Sequence, residues 1–249
     1  MLTIKRIKKT NIFIIIVLIS LPFIIHSCFN LTSIKVIADE NREKLEEIEN
    51  RWNETGEIKN IINNKVYIIG DSRMEYLSNR GKEIEIPTNF SFIALGGTKI
   101  DWFTYKAIPL LEEKLDSKQE NIKYHVIINM GVNDLNDYND PLIHSENYFK
   151  LYYELASHYE DIDFYILSVN PVDMSIINKK IYNQKRTNIK IQKFNENLIK
   201  SIENSNLKNI KYCDSYNNVY FKTKDGLHYD KQTDQNIINY LTKDCLKYE

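Results

Sequence analysis

Two short segments place side chains that together could carry out acyl transfer. Gly70-Asp71-Ser72 ends the apolar run Val66-Tyr67-Ile68-Ile69 on a serine hydroxyl, and Asp225-Gly226-Leu227-His228 sets a carboxylate three residues before an imidazole in a glycine-containing turn. A serine hydroxyl attacks an ester only if a base takes its proton, and an imidazole can accept that proton and return it to the leaving group. Asp225 would accept from one ring nitrogen while the other faces Ser72. Of the five histidines, His228 alone has this arrangement: His26 lies in an apolar amino-terminal segment, His125 opens an apolar run, His144 precedes a helical pattern and His158 lies within one. Taken singly, D-x-x-H is commonly a surface helix start and G-D-S a weak signal.

Acyl transfer also needs donors fixed where an oxyanion develops. Gly96-Gly97-Thr98 and Gly131-Val132-Asn133-Asp134 each follow an apolar run, so the Ser72 N–H, a glycine N–H and the Asn133 amide could converge. Gly96 directly ends its run, and Gly97 is the alternative. The plainer readings are a turn needing positive φ for the glycines and a helix cap for Asn133-Asp134. Arg73 and Gly97 are candidate substrate contacts, although an exposed first-turn arginine would look the same. The stretch from Asn170 to Arg186 reads equally as a lid over Ser72 or as a surface excursion. The 17 tyrosines serve sugar platforms and ordinary cores alike.

These segments need a scaffold that brings chain-distant turns to one place. Five apolar runs, Val66–Ile69, Phe90–Leu95, His125–Met130, Phe164–Val169 and Asn209–Tyr212, alternate with helical patterns at Arg73–Asn79, Asp101–Leu115, Ser145–Tyr159, Thr187–Glu203 and about Thr233–Leu246. Alternation of this kind implies a parallel sheet with chemistry at the carboxyl ends of the strands. Asp101, Ser145 and Thr187 are expected helix caps, and Pro109 an expected kink. Right-handed crossovers then predict an α/β fold, a three-layer α/β/α sandwich on a five-stranded parallel sheet in flavodoxin-like order 2-1-3-4-5.

Taken together in order and spacing, the four blocks Gly70-Asp71-Ser72, Gly96-Gly97-Thr98, Gly131-Val132-Asn133-Asp134 and Asp225-Gly226-Leu227-His228 resemble the GDSL/SGNH hydrolase family over about residues 65 to 240. The resemblance implies that Ser72 is the nucleophile, His228 the general base and Asp225 its orienting carboxylate, with Ser72, Gly96 and Asn133 forming the oxyanion hole. It also implies a serine esterase or acyltransferase; the spacing of the three cysteines gives no metal signature, and no cofactor or metal is expected. From family members that modify envelope polysaccharides it implies O-acetyl groups of a cell-surface glycan as substrate, with a membrane-bound acyltransferase as a partner if the group is transferred. A lysophospholipase or thioesterase, or a catalytically silent α/β module holding an anion at helix N-termini, are the alternatives.

Composition sets the remaining bounds. With 43% hydrophobic and 27% charged residues, the 249-residue chain has material for one globular domain plus a short appendage. Formal net charge is −1, and four cations, Lys5, Arg6, Lys8 and Lys9, sit at the amino terminus. The remainder is therefore acidic, which argues against a nucleic-acid partner. That basic cluster precedes an apolar stretch, Ile12 to Ile25, that reaches about twenty residues if extended to Leu31, the pattern of a signal anchor or signal peptide. Ile25-His26-Ser27-Cys28 loosely resembles a lipobox. Residues 1–31 are thus expected to engage the membrane and the following domain to face outward. Residues 32–62, with Leu45, Ile48 and Trp52 at helical spacing among charges, read as a stalk helix, leaving 63–249 as the hydrolase-like domain. Cys213 and Cys245 could pair in an oxidising compartment, but two buried thiols are the commoner outcome.

Overall fold

The computed structural model describes residues 63–180 and 184–246. The expected membrane segment and stalk helix lie outside the described residues, and among those described no helix is long and apolar enough to cross a membrane.

All five apolar runs form strands: β1 Asn64–Gly70, β2 Phe90–Ala94, β3 Lys123–Asn129, β4 Asp163–Leu167 and β5 Ile210–Cys213. They pair in parallel in the order β2-β1-β3-β4-β5, as the alternation predicts. Successive side chains point to opposite faces of a strand, and both faces are covered. On one face Tyr67, Ile69, Val126, Ile128, Phe164 and Ile166 pack with Phe103, Tyr148, Tyr152 and Phe194; on the other Val66, Ile68, Ile127, Tyr165 and Leu167 pack with Met74, Leu77, Ile237 and Leu241. Continuous apolar strands follow from this double coverage.

The first face carries the helical run Ile100–Trp102 (α2), a π turn Phe103–Ala107 and Ile108–Asp116 (α3), together with Pro141–His158 (α4) and Asn188–Glu203 (α6). The second carries Ser72–Asn79 (α1) and Lys231–Tyr240 (α8), which ends in a π turn Leu241–Cys245. Shorter helices, Met174–Lys180 (α5) and Ser215–Asn218 (α7), lie in the connections.

Helix starts depart from expectation where a distant or neighbouring group caps better. Thr187 caps α6 as expected, accepting from Lys190 N. Ser145 does not begin a helix: α4 starts at Pro141, whose fixed φ suits the first position, and Asp140 accepts from Leu142 N at 3.0 Å. Asp101 caps nothing; Asp134, 34 residues away, accepts from Ile100 N at 3.2 Å instead. Pro109 follows the π turn, in which Ile108 N bonds to Phe103 O. The expectation of two free thiols is overturned as well. Cys213 at the end of β5 and Cys245 beyond α8 form a disulfide with Cα atoms 5.7 Å apart.

Register brings the site turns together. Gly70 of β1 lies level with Ala94 of β2 and Asn129 of β3, so the chain leaves all three strands at one edge of the sheet, toward Ser72, Gly96 and Asn133.

Candidate active site

Ser72 is the first residue of α1, and Asp71 is its N-cap: the Asp71 carboxylate accepts from Arg73 N at 3.0 Å. A short polar side chain at this position satisfies one of the free N–H groups of the first turn. Asp71 is itself buried, and burial pushes its carboxyl up against the opposing influence of that hydrogen bond and of the Arg73, His228 and Arg186 charges. Ser72 is only 6% exposed.

The turn bearing His228 approaches from the other end of the chain. His228 Nε2 lies 2.9 Å from Ser72 Oγ, and His228 Nδ1 lies 2.7 Å from Asp225 Oδ2. The second oxygen of Asp225 accepts from Leu227 N and His228 N at 2.9 and 2.8 Å. Burial would raise this carboxyl, but the ring hydrogen bond, the two backbone donors and the imidazole charge together hold it at about 2. A carboxylate so supported stays ionised and fixes the ring with Nδ1–H toward it, leaving Nε2 to accept from Ser72. Gly226 makes the turn compact: its φ is +93°, and a Cβ there would fall 2.5 Å from Ile177 N.

Gly96 sits against the serine, since a Cβ placed on it would lie 3.6 Å from Ser72 Cβ and 2.8 Å from a Glu75 carboxylate oxygen. Gly97 takes the positive φ of a turn, +73°, with open space around it, and nothing in the structure marks it as a substrate contact rather than a turn residue. Asn133 is buried and makes no cap hydrogen bond to the 3₁₀ turn Asp134–Asn136 that follows it. Its Nδ2 donates to Thr98 O at 3.0 Å, tying β3's turn to β2's. Asp134 stabilises this junction, accepting from Ile100 N and, at 2.8 Å, from Tyr148 OH; burial raises its carboxyl despite both bonds.

Arg73 requires a correction. It is 1% exposed, neither a solvated first-turn residue nor a substrate contact. Its Nε donates to Leu227 O at 3.1 Å, Nη1 to Asn170 O at 2.7 Å and Nη2 to Pro171 O at 3.0 Å, while its guanidinium lies 4.7 Å from the Tyr229 ring centre. It therefore clamps α1 to the two segments beside it, one of which carries His228. The stretch after β4 is likewise neither a lid nor a free excursion where it is described: Asn170 and Val172 are buried, Asp173 N donates to Gly226 O at 2.9 Å, and α5 packs Ile177 on the His228 turn.

Sequence reasoning missed two neighbours. Tyr76, 49% exposed, packs against His228 with ring centres 4.5 Å apart and the ring planes tilted by 40°; its i+4 spacing from Ser72 on one helix face was the available signal. Arg186 reaches Asn133 from the far end of the connection after β4, and nothing local to its sequence marks it. Among the described residues no group of three or more His, Cys, Asp or Glu could hold a metal ion.

No family model matches the sequence, and no curated protein does. Solved structures do resemble it. A protein from Streptococcus pneumonia, provisionally named a platelet activating factor, superposes with a TM-score of 0.54 at 18% identity, over 86% of this chain and 98% of its own. A member of the lipolytic protein G-D-S-L family from Veillonella parvula gives 0.52 at 15% identity, over 74% and 99%. A protein from Slackia heliotrinireducens, provisionally named an SGNH hydrolase, gives 0.51 at 12% identity, over 72% and 97%. At such identities the likeness is one of architecture, and the chain has the three-layer α/β/α fold of the GDSL/SGNH hydrolases.

Proposed function

We propose that the protein is a serine esterase or acyltransferase that removes or transfers small acyl groups, O-acetyl above all, on a cell-surface glycan. The observation that carries this reading is the hydrogen-bonded chain from Asp225 through His228 to Ser72. Ser72 Oγ attacks the ester carbonyl carbon as His228 Nε2 takes its proton. The imidazolium is held by Asp225, and the tetrahedral oxyanion is met by donors from Ser72, Gly96 and Asn133. Collapse expels the alkoxide, which leaves as an alcohol with the proton from Nε2. Water, or an acceptor hydroxyl, then attacks the acyl-enzyme through the same base and regenerates Ser72. Transfer requires an acyl donor, supplied in this reading by a membrane-bound acyltransferase partner.

Two features support the substrate class. The nearly buried Ser72 suits an acetyl group better than a long chain, and the half-exposed Tyr76 ring beside His228 offers a flat face of the kind that accepts a sugar ring. The Cys213–Cys245 disulfide supports an oxidising, outward-facing location, and protease added outside intact cells should digest the domain.

The test is fluorophosphonate labelling of the full-length chain, followed by release assays on acetylated polysaccharide and on lysolipid. Labelling lost in Ser72→Ala, with acetate released from polysaccharide, is the expected outcome. A wild-type protein that is never labelled would reject the covalent mechanism, and release from lysolipid alone would replace the glycan with a lipid.

A further inference from the structure

Arg186 is 5% exposed, yet its Nε and Nη1 are buried without a hydrogen-bond partner. Its one acceptor among the described residues is Asn133 Oδ1, 3.5 Å from Nη2. A buried guanidinium normally forks onto a carboxylate, and leaving charged donors unmet is unfavourable enough that such a group calls for a reason. The placement is nonetheless enforced from both sides. Lys185 N and Arg186 N donate to Asn136 Oδ1 at 2.7 and 3.4 Å, pinning the segment to the turn that carries Asn133. Thr187, the next residue, caps α6. Burial and the neighbouring Arg73 lower Arg186 to about 10, with Asp71 opposing, so it remains a cation at neutral pH.

What this cation meets is the amide expected to face the oxyanion. Asn133 gives Nδ2 to Thr98 O and turns Oδ1 to Arg186. A flipped amide would set its nitrogen against the guanidinium donor and its oxygen against the Thr98 carbonyl. Resting on the acyl-transfer reading above, we propose that Arg186 is a positioning residue: it locks the Asn133 amide with Nδ2 toward the Gly96–Thr98 turn and places a buried positive charge beside the donor that meets the developing oxyanion. It acts through Asn133 and does not touch the substrate.

The test is a double-mutant cycle in the full-length protein, reading kcat and KM for p-nitrophenyl acetate and the rate of fluorophosphonate labelling, with folding followed by circular dichroism. Arg186→Met should lower kcat roughly 10- to 100-fold with KM changed less than about 2-fold, short of the 10²–10³ expected for losing the donor itself in Asn133→Ala. In the Asn133→Ala background the same change should cost less than about 3-fold, because the group it acts through is gone. An unchanged kcat, an equal loss in both backgrounds, or a raised KM at constant kcat would each overturn the proposal. Should Arg186→Met fail to fold, Arg186→Lys decides: a loss of about 3- to 10-fold confined to the Asn133 background supports it, and an unchanged kcat or an equal loss in both overturns it. A wild-type chain that neither labels nor hydrolyses would remove the esterase reading and this one with it. A wild-type chain that labels no faster than its Arg186 variants would remove this one alone.

Discussion

Replacing Arg73 with methionine should separate a clamp from a substrate contact. The variant keeps an unbranched apolar stem but loses three charge-assisted hydrogen bonds, to Leu227 O, Asn170 O and Pro171 O, and the contact with the Tyr229 ring. Each such bond contributes a net of roughly 1.5–3 kcal/mol, and a desolvated cation on a ring up to about 2. Against this stands the recovered cost of burying the charge, several kcal/mol, while three carbonyls lose their donor. The balance is a destabilisation of about 3–5 kcal/mol, in line with breaking other buried charged contacts. At about 2–4 °C per kcal/mol for a domain of this size, the Tm should fall by about 6–20 °C. Activity should fall too, because the clamp holds Leu227, next to His228, against the helix of Ser72. Assayed well below its own Tm, Arg73→Met should show a kcat reduced about 10-fold or more with KM little changed, since small misplacement of reacting groups is costly. Arg73→Lys should lie between, as a point charge cannot reach all three carbonyls in the guanidinium's planar geometry. A folded Arg73→Met protein with unchanged Tm and a raised KM would refute the reasoning and return Arg73 to the substrate.

Ser72→Ala and His228→Ala should each nearly abolish turnover, with the double variant scarcely worse than either, and Asp225→Asn should cost up to about 10⁴ in kcat; multiplicative losses in steady-state kinetics would mean independent sites. Reducing the Cys213–Cys245 bond, which spans 32 residues, should destabilise the domain by about 3–4 kcal/mol on loop-closure grounds, and a Tm insensitive to dithiothreitol would contradict this. Burial of His125 lowers its pKa from 6.5 to about 4. The folded state thus binds fewer protons than the unfolded chain between those values, so the stability held above pH 6.5 should fade by about 3 kcal/mol as pH falls to 4. Denaturant titrations across that range should show a weaker pH dependence in His125→Gln.

The parallel sheet and its strand order were legible because double coverage writes itself into the chain as uninterrupted apolar runs, and because helical patterns between them leave only right-handed crossovers. Asp225 and His228 stood out for a related reason: their geometry is made by a local turn, with Asp225 gathering the ring and both backbone donors from within three residues, whereas Ser72 meets His228 only across 156 residues. Asp140 as a cap of α4 was equally local, and was missed in favour of Ser145 only because both types cap well. What tertiary structure alone decided depends on partners far away in the chain. Arg73 meets carbonyls 97, 98 and 154 residues on, Asp134 caps a helix 34 residues back, Arg186 reaches an amide 53 residues away, and Cys213 finds Cys245 across 32. A charged or polar side chain carries no mark of whether water or a distant carbonyl will satisfy it. That is set by which surfaces the apolar core brings face to face, and hydrogen bonding then follows for most of them because leaving a buried polar group unpaired is costly, so that the unmet donors of Arg186 stand out as an exception.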